Sequence, residues 1–195
     1  MSPKEDVHDK IIDNAEQCLR QFGPEKTRVV DVAKACGFSH AYVYQFFSSR
    51  ADLLEAVTER WLVRIENSLD EVVQSDKPAE QKMYDLFQEL HRLKKSKLAD
   101  DPYLYETFED VAKTSADTVD RHINIIQSQV TSILNQGADE GTLHFDNAEK
   151  VMQLFWNATL SFHHPILVSE HMDQDRTAIL DQIIRQLLQS YKSTE

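Results

Sequence analysis

The sequence predicts an all-α fold of about nine helices, on three observations. Only 4 Gly and 5 Pro occur in 195 residues, too few turn formers for a many-stranded sandwich or barrel. Apolar residues recur at three- and four-residue spacing over long stretches, the period of an amphipathic helix. The composition, 41% hydrophobic and 28% charged, is that of an ordinary globular chain.

The first helix is expected over about 5–22, where Ile11, Ile12, Ala15, Leu19 and Phe22 share a face. Gly23-Pro24 stops it, because Gly suits a left-handed cap and Pro cannot continue a helix. A short helix follows over about 28–36, with Val29, Val32, Ala33 and Cys36 on one side. Gly37-Phe38-Ser39 is a tight break with Ser39 as N-cap, opening a third short helix over about 40–46. The fourth runs from Arg50 to about 74 on the stripe Leu54, Val57, Trp61, Ile65, Leu69 and Val72. Pro78 opens a fifth, to about 97, and Asp101-Pro102 opens a sixth. The seventh, about 115–136, carries Val119, Ile123, Ile126, Val130 and Ile133 and fades by Gly141. Asp146 and Glu149 resemble a capping box at the start of the eighth, which Pro165 kinks or ends. The ninth spans about 174–191. The composition changes near the fourth helix while its pattern continues, so residues 1–50 and 51–195 are expected to be two domains, rigidly coupled.

Charge and cysteine usage narrow the function. The net charge is -12, but it is uneven. Residues 1–65 carry nine basic against ten acidic residues, and residues 26–50 carry four basic (Lys26, Arg28, Lys34, Arg50) against Asp31 alone. A basic segment in an acidic protein can still meet a polyanion, since salt screens charges more than about 10 Å away. The charged start shows no secretory signal, and no run approaches the roughly 18 apolar residues of a membrane span. Cys18 and Cys36 form no CxxC pair and read as small buried apolar residues. The expectation is a cytoplasmic protein with reduced thiols and no membrane partner. There is no Gly-rich phosphate loop, nucleophile elbow or metal-ligand motif, so no enzyme, cofactor or metal is expected.

Two short helices joined by a tight Gly-containing turn, with a third in front, have the sequence shape of a helix-turn-helix. Small residues are expected at the crossing (Ala33, Gly37), a buried Phe38 in the turn, and Val43 and Phe47 inside. Residues 39–45 are then left to enter a major groove.

Residues 8–54 resemble the DNA-binding domain of the tetracycline-repressor (TetR) family at Ala15, Leu19, Gly23, Thr27, Val29, Val32, Ala33, Gly37, Ser39, Tyr44, Phe47, Leu53 and Leu54. The rest of the chain is similar only in its all-helical layout. The resemblance implies an N-terminal helix-turn-helix domain and a larger helical domain for effector binding and dimerisation. It implies a homodimeric transcriptional regulator on double-stranded operator DNA, usually a repressor. By position, Thr27 and Arg28 would meet phosphate at a helix N-terminus, and Tyr44 and Arg50 would meet phosphate as well. Ser39, His40, Ala41 and Tyr42 would read bases. Ala41 and Tyr42 depart from the family's common pattern, so the operator cannot be copied from a relative. The alternative for Tyr44 is a packed core tyrosine, and for His40 a merely solvated side chain.

In the larger part, the resemblance implies that the last two helices pair with their copies. The apolar stripe Ile179, Ile183, Leu187 and Tyr191, together with Phe155 and Phe162, is the expected dimer face; packing within the subunit is the alternative. Trp61, Met83, Phe87, Tyr103, Tyr105, Phe108, Met152, Trp156 and His163 are candidates for a pocket taking a small apolar or aromatic effector, with ordinary core as the alternative. Glu106 and Glu109 hint at a cationic lipophilic ligand. His163, His164 and His171 do not converge as metal ligands, because adjacent helical residues diverge by about 100°. The run Arg92, Lys94, Lys95 and Lys97 reads as a solvated face offsetting the helix dipole. The second functional reading is an activator or a DNA-binding protein with no small-molecule effector.

Overall fold

The computed structural model describes residues 3–192, all helix and turn with no strand among them. In chain order the elements are α1 (Pro3–Phe22), α2 (Val29–Cys36), α3 (His40–Val43), α4 (Arg50–Gln74), α5 (Ala79–Asp100) and α6 (Pro102–Thr114). Then come α7 (Ala116–Asp139), α8 (Ala148–Ala158), a 3-10 turn (Leu160–Phe162), α9 (Pro165–Glu170) and α10 (Thr177–Gln189). No helix among the described residues is long and apolar enough to cross a membrane.

The nine expected helices become ten because the eighth ends early. Instead of running to Pro165, α8 stops at Ala158, and Thr159 turns its hydroxyl back to the Phe155 carbonyl at 2.8 Å. Pro165 then opens the short α9 at its first turn, where the missing N–H costs nothing. The cap of α8 also shifts by one residue. Asn147, not Asp146, accepts from the Lys150 N–H, at 2.9 Å. Helix α3 closes at Val43 rather than 46, and the turn continues through Phe46 N–H to the Val43 carbonyl at 3.0 Å.

The chain forms two compact units. One comprises 1–62 and 97–119, the other 63–96 and 120–195. Helices α4, α5 and α7 contribute residues to both. The expected DNA-binding segment, 1–50, falls inside the first unit.

In the first unit α1, α2 and α3 enclose Ile11, Ala15, Leu19, Val32, Ala33 and Val43, with Leu53, Val57, Leu104 and Val111 from α4 and α6 completing the core. Gly23, with φ +78°, ends α1 by donating to the Leu19 carbonyl at 2.8 Å. A Cβ there would also lie 3.3 Å from the Tyr103 ring. Polar bonds join the same helices. Arg60 of α4 grips Glu16 and Asp13 of α1, both at 2.7 Å. Asp101, just before α6, accepts from Arg20 and Lys97, both at 2.8 Å. Those two cations hold its carboxyl down at about 2, Arg20 contributing most.

In the second unit Ile65, Leu69, Met83, Phe87, Ile126, Val130, Met152, Phe155, Leu180 and Ile184 are buried. The Phe87 and Phe155 rings stack with centroids 6.2 Å apart. Gly137 lets the end of α7 approach its neighbours: a Cβ would meet Leu143 Cδ1 at 2.6 Å and Ala79 Cβ at 3.2 Å. Lys82, buried, caps the end of α4 by donating to the Val73 carbonyl at 2.6 Å, and donates to Gln136 Oε1 at 2.8 Å.

Candidate nucleic-acid interface and effector site

The helix-turn-helix is set by local chemistry. Gly37 at φ +73° caps α2, and the Ser39 hydroxyl caps α3 by accepting from the Tyr42 N–H at 3.1 Å. Gly37 is required for its backbone conformation, since no atom lies within 4 Å of where its Cβ would be. This corrects the expectation of a crowded crossing; Ala33, 1% exposed, is the small residue that sits there. Val43 and Phe47 are buried as expected, and Phe38 is half-buried.

Ser39, His40, Ala41 and Tyr44 are exposed together on α3 and the turn after it. Tyr44 stands edge-on to His40, centroids 4.7 Å apart, so it is not a core tyrosine. Tyr42 is half-buried between Phe38 and Phe46, at 5.1 and 5.5 Å, which leaves only part of its ring for any base. Arg28 is exposed at the N-cap of α2 and makes no capping bond. Arg50 is exposed but ties α4 to the α1–α2 turn, donating to the Thr27 carbonyl at 2.9 Å and to the Pro24 carbonyl. Thr27 requires a correction. It is 3% exposed and its hydroxyl donates to the Gly23 carbonyl at 2.8 Å, so it closes the turn and offers no hydroxyl to a phosphate. The sequence reading missed the cap of α4. The Ser49 hydroxyl accepts from the Asp52 N–H at 3.0 Å while Asp52 accepts from the Ser48 N–H at 3.1 Å. The Ser48 and Ser49 hydroxyls hold the Asp52 carboxyl below its usual range. The Ser-x-x-Asp spacing was the available signal.

The expected pocket residues fall into separate groups. Trp61, Tyr105 and Phe108 form an aromatic trio in the first unit, with Trp61 and Phe108 centroids 4.8 Å apart. Burial raises the Tyr105 phenol well above its ordinary value. Tyr103 does not join them; it is exposed and lies against Gly23. Met83, Phe87, Met152, Trp156 and His163 belong to the second unit, where His163 rests on Trp156 with ring centroids 4.0 Å apart. A groove of about 690 Å³ along α7 and the start of α8 is lined by Asn124, Thr131, Asn147, Lys150 and Met152 among others.

Phe155 and Phe162 are corrected from dimer face to core, being 0% and 1% exposed. Ile179 is 51% exposed, Ile183 and Leu187 are half-buried, and Leu154 of α8, not singled out from sequence, is 45% exposed. Tyr191 packs edge-on against Phe145 of its own chain, at 6.3 Å.

The acidic pair divides within the first unit: Glu109 is half-buried and its charge adds to the rise of the Tyr105 phenol. Glu106 is exposed, so it supplies no buried countercharge for a cationic ligand. Lys94, read from sequence as solvated, is buried, and its ammonium donates to His122 Nε2 at 3.3 Å. His122 Nδ1 donates in turn to Glu66 Oε1 at 2.7 Å. Among the described residues no group of three or more His, Cys, Asp or Glu can hold a metal.

A capped helix-turn-helix ahead of a larger helical part defines a DNA-binding regulator. Residues 11–57 match the model of the bacterial regulatory proteins, tetR family, and residues 79–184 match that of the tetracyclin repressor-like C-terminal domain. The second match alone spans more than half of the chain, and the chain belongs to the TetR family of transcriptional regulators. It is thereby a DNA-binding transcriptional regulator and not an enzyme. No curated protein matches it in sequence. Its fold is similar to a TetR transcription regulator from Haloarcula marismortui, with TM-score 0.72 and 19% identity over 97% of this chain and 100% of that one. It is also similar to FadR from Bacillus subtilis, solved with stearoyl-CoA (0.67, 17%, covering 92% and 97%). SmeT, repressor of the Stenotrophomonas maltophilia efflux pump SmeDEF, gives 0.66 and 18% over 95% and 90%.

Proposed function

We propose that the protein is a repressor that binds a palindromic operator as a homodimer and leaves it when a small ligand with an apolar or aromatic body binds. The observation that carries this is the exposed row Ser39, His40, Ala41 and Tyr44 on α3 and its flanking turns, whose inner residues Val43 and Phe47 are locked in the core. In this reading residues 1–50 hold the DNA. Arg28 and Tyr44 touch phosphates, Arg50 holds the turn beside them, and Ser39, His40, Ala41 and the exposed part of Tyr42 face bases. Residues 51–195 hold the effector and the two-fold contact, with Ile179, Ile183, Leu187 and Leu154 as the apolar face that a second copy covers. A repressor among the structural neighbours supports the role, and a neighbouring transcriptional regulator solved with stearoyl-CoA supports an apolar ligand body.

The test is selection of bound duplexes from a random pool by the purified protein at near-physiological salt. An enriched inverted repeat with half-sites about one helical turn apart or more supports a dimeric sequence reader. No enrichment by ligand-stripped protein overturns it. Enrichment without any effect of added ligands would instead favour a regulator that has no effector.

A further inference from the structure

Three rings line up along one side of α3 and its flanking turns. Phe38 in the turn before it, Tyr42 within it and Phe46 just after it are spaced by four residues. Tyr42 meets Phe38 with ring centroids 5.1 Å apart and planes at 72°, and meets Phe46 at 5.5 Å and 74°. Both contacts have the edge-to-face geometry that aromatic pairs prefer. From α1, the Lys10 ammonium lies over the Phe38 ring, 4.7 Å from its centroid. All three rings are half-buried. The inner side of α3 is closed separately by Val43 and Phe47, 0% and 4% exposed. Tyr42 is thus held by a ring on either side while part of it stays open beside the exposed Ala41.

Tyr42 stands where the family commonly has a smaller residue, and only a large ring could reach both of these neighbours. Standing alone, its side chain would turn about two angles. A reader that turns can move off a wrong base pair, and so it tolerates what it should reject. A ring pinned on two sides has lost that freedom in folding, so binding costs it little further ordering. It also cannot withdraw, and a mismatched base edge meets it in the same place every time. Rigidity of this kind raises discrimination at one base pair. It adds nothing to phosphate contacts, which carry no sequence information.

We propose that Phe38 and Phe46 are positioning residues: by pinning the Tyr42 ring they set the discrimination at the base pair that Tyr42 faces. Neither ring has to touch DNA for this. Lys10 in turn steadies Phe38 from the α1 side. The proposal rests on the base-reading role given to Tyr42 above.

The test is competition binding by the full-length protein at fixed salt, on duplexes that carry the selected operator changed at one base pair at a time. Tyr42→Ala locates the pair: there, and at its symmetry mate, a wild-type preference of about tenfold or more should collapse. Phe46→Leu should lower the preference at that same pair by about threefold or more and leave every other pair within about twofold. Phe46→Tyr, which keeps a ring edge against Tyr42, should restore it. Phe38→Leu is measured alongside and takes its place where Phe46→Leu fails to fold by circular dichroism. The wild-type protein gives a reading that needs no substitution: without DNA, NMR couplings of isotope-labelled Tyr42 should report a single side-chain rotamer. Averaging over rotamers overturns the proposal. So does a loss spread evenly over all pairs, a preference that survives the loss of the ring, or a loss that Phe46→Tyr does not restore. A wild-type protein that selects no sequence defeats the sequence-reader reading and this proposal together. A selected operator in which no pair is sensitive to Tyr42→Ala overturns this proposal alone.

Discussion

Replacing Asp101 with Asn tests the bond between α1 and α6. The carboxylate accepts from Arg20 Nε at 2.8 Å and Nη2 at 3.2 Å, and from Lys97 Nζ at 2.8 Å. These partners bring its pKa from 3.8 to about 2. That depression corresponds to roughly 2.5 kcal/mol in favour of the folded, ionised form. Asp101 is 20% exposed but Arg20 is 42% exposed, so water screens part of it. The loss in Asp101→Asn at pH 7 should then be about 1–2 kcal/mol. Because the folded pKa is depressed, the contribution is present above the unfolded value and is lost as pH falls toward 2, with about half remaining at pH 3. Urea unfolding of both proteins at pH 7, 5 and 3 reads this directly. The gap between them should hold from pH 7 to 5 and shrink by about half at pH 3. Equal stability at pH 7, or a gap that widens on acidification, refutes the reasoning. A gap that stays constant to pH 3 would mean that the carboxylate acts through its shape and not through its charge.

Three further outcomes follow. Gly137→Ala gains about 1 kcal/mol of helix propensity but drives a methyl into Leu143 and Ala79, at about 1–3 kcal/mol. A lower urea midpoint is expected, and an unchanged one would mean that Leu143 swings clear. Arg28→Ala should weaken operator and non-operator DNA alike and reduce the salt slope of binding by about one; a change confined to one sequence would make it a base reader. Ile179→Glu combined with Leu154→Glu should yield a folded monomer in sedimentation, and an intact dimer would move the two-fold contact away from α8 and α10.

How much the sequence disclosed follows from how far apart the interacting residues lie. Gly23, Gly37 and Ser39 could be read because each acts on backbone within four residues of itself. The three-helix unit is built from such local punctuation, and its inner residues recur at helical period. The end of α8 could not be read in this way. No Gly or Pro stands at Thr159, and the helix breaks where Phe162 and His163 turn inward, a demand set by residues such as His91, which meets the Phe162 carbonyl at 2.9 Å from 71 positions away. Thr27 and Arg50 match the family pattern by position, yet their bonds run to the α1–α2 turn, and only the folded chain reveals that their polar atoms are occupied there.

Lys94 is the clearest case of what sequence cannot carry. In a run with Arg92, Lys95 and Lys97 it has the pattern of a solvated lysine, and burial is rare for that residue type. What makes its burial possible is His122, 28 positions on, and through it Glu66, 56 positions before that. Neither spacing has any local signature. The aromatic residues were visible as a class, because their size alone marks them as core or pocket. The buried polar groups were not, since a buried charge is defined by its partners and those partners come from other helices. This is why the helix-turn-helix is legible from local residues, while the link from Lys94 through His122 to Glu66 is visible only when the three are seen in one chain of hydrogen bonds.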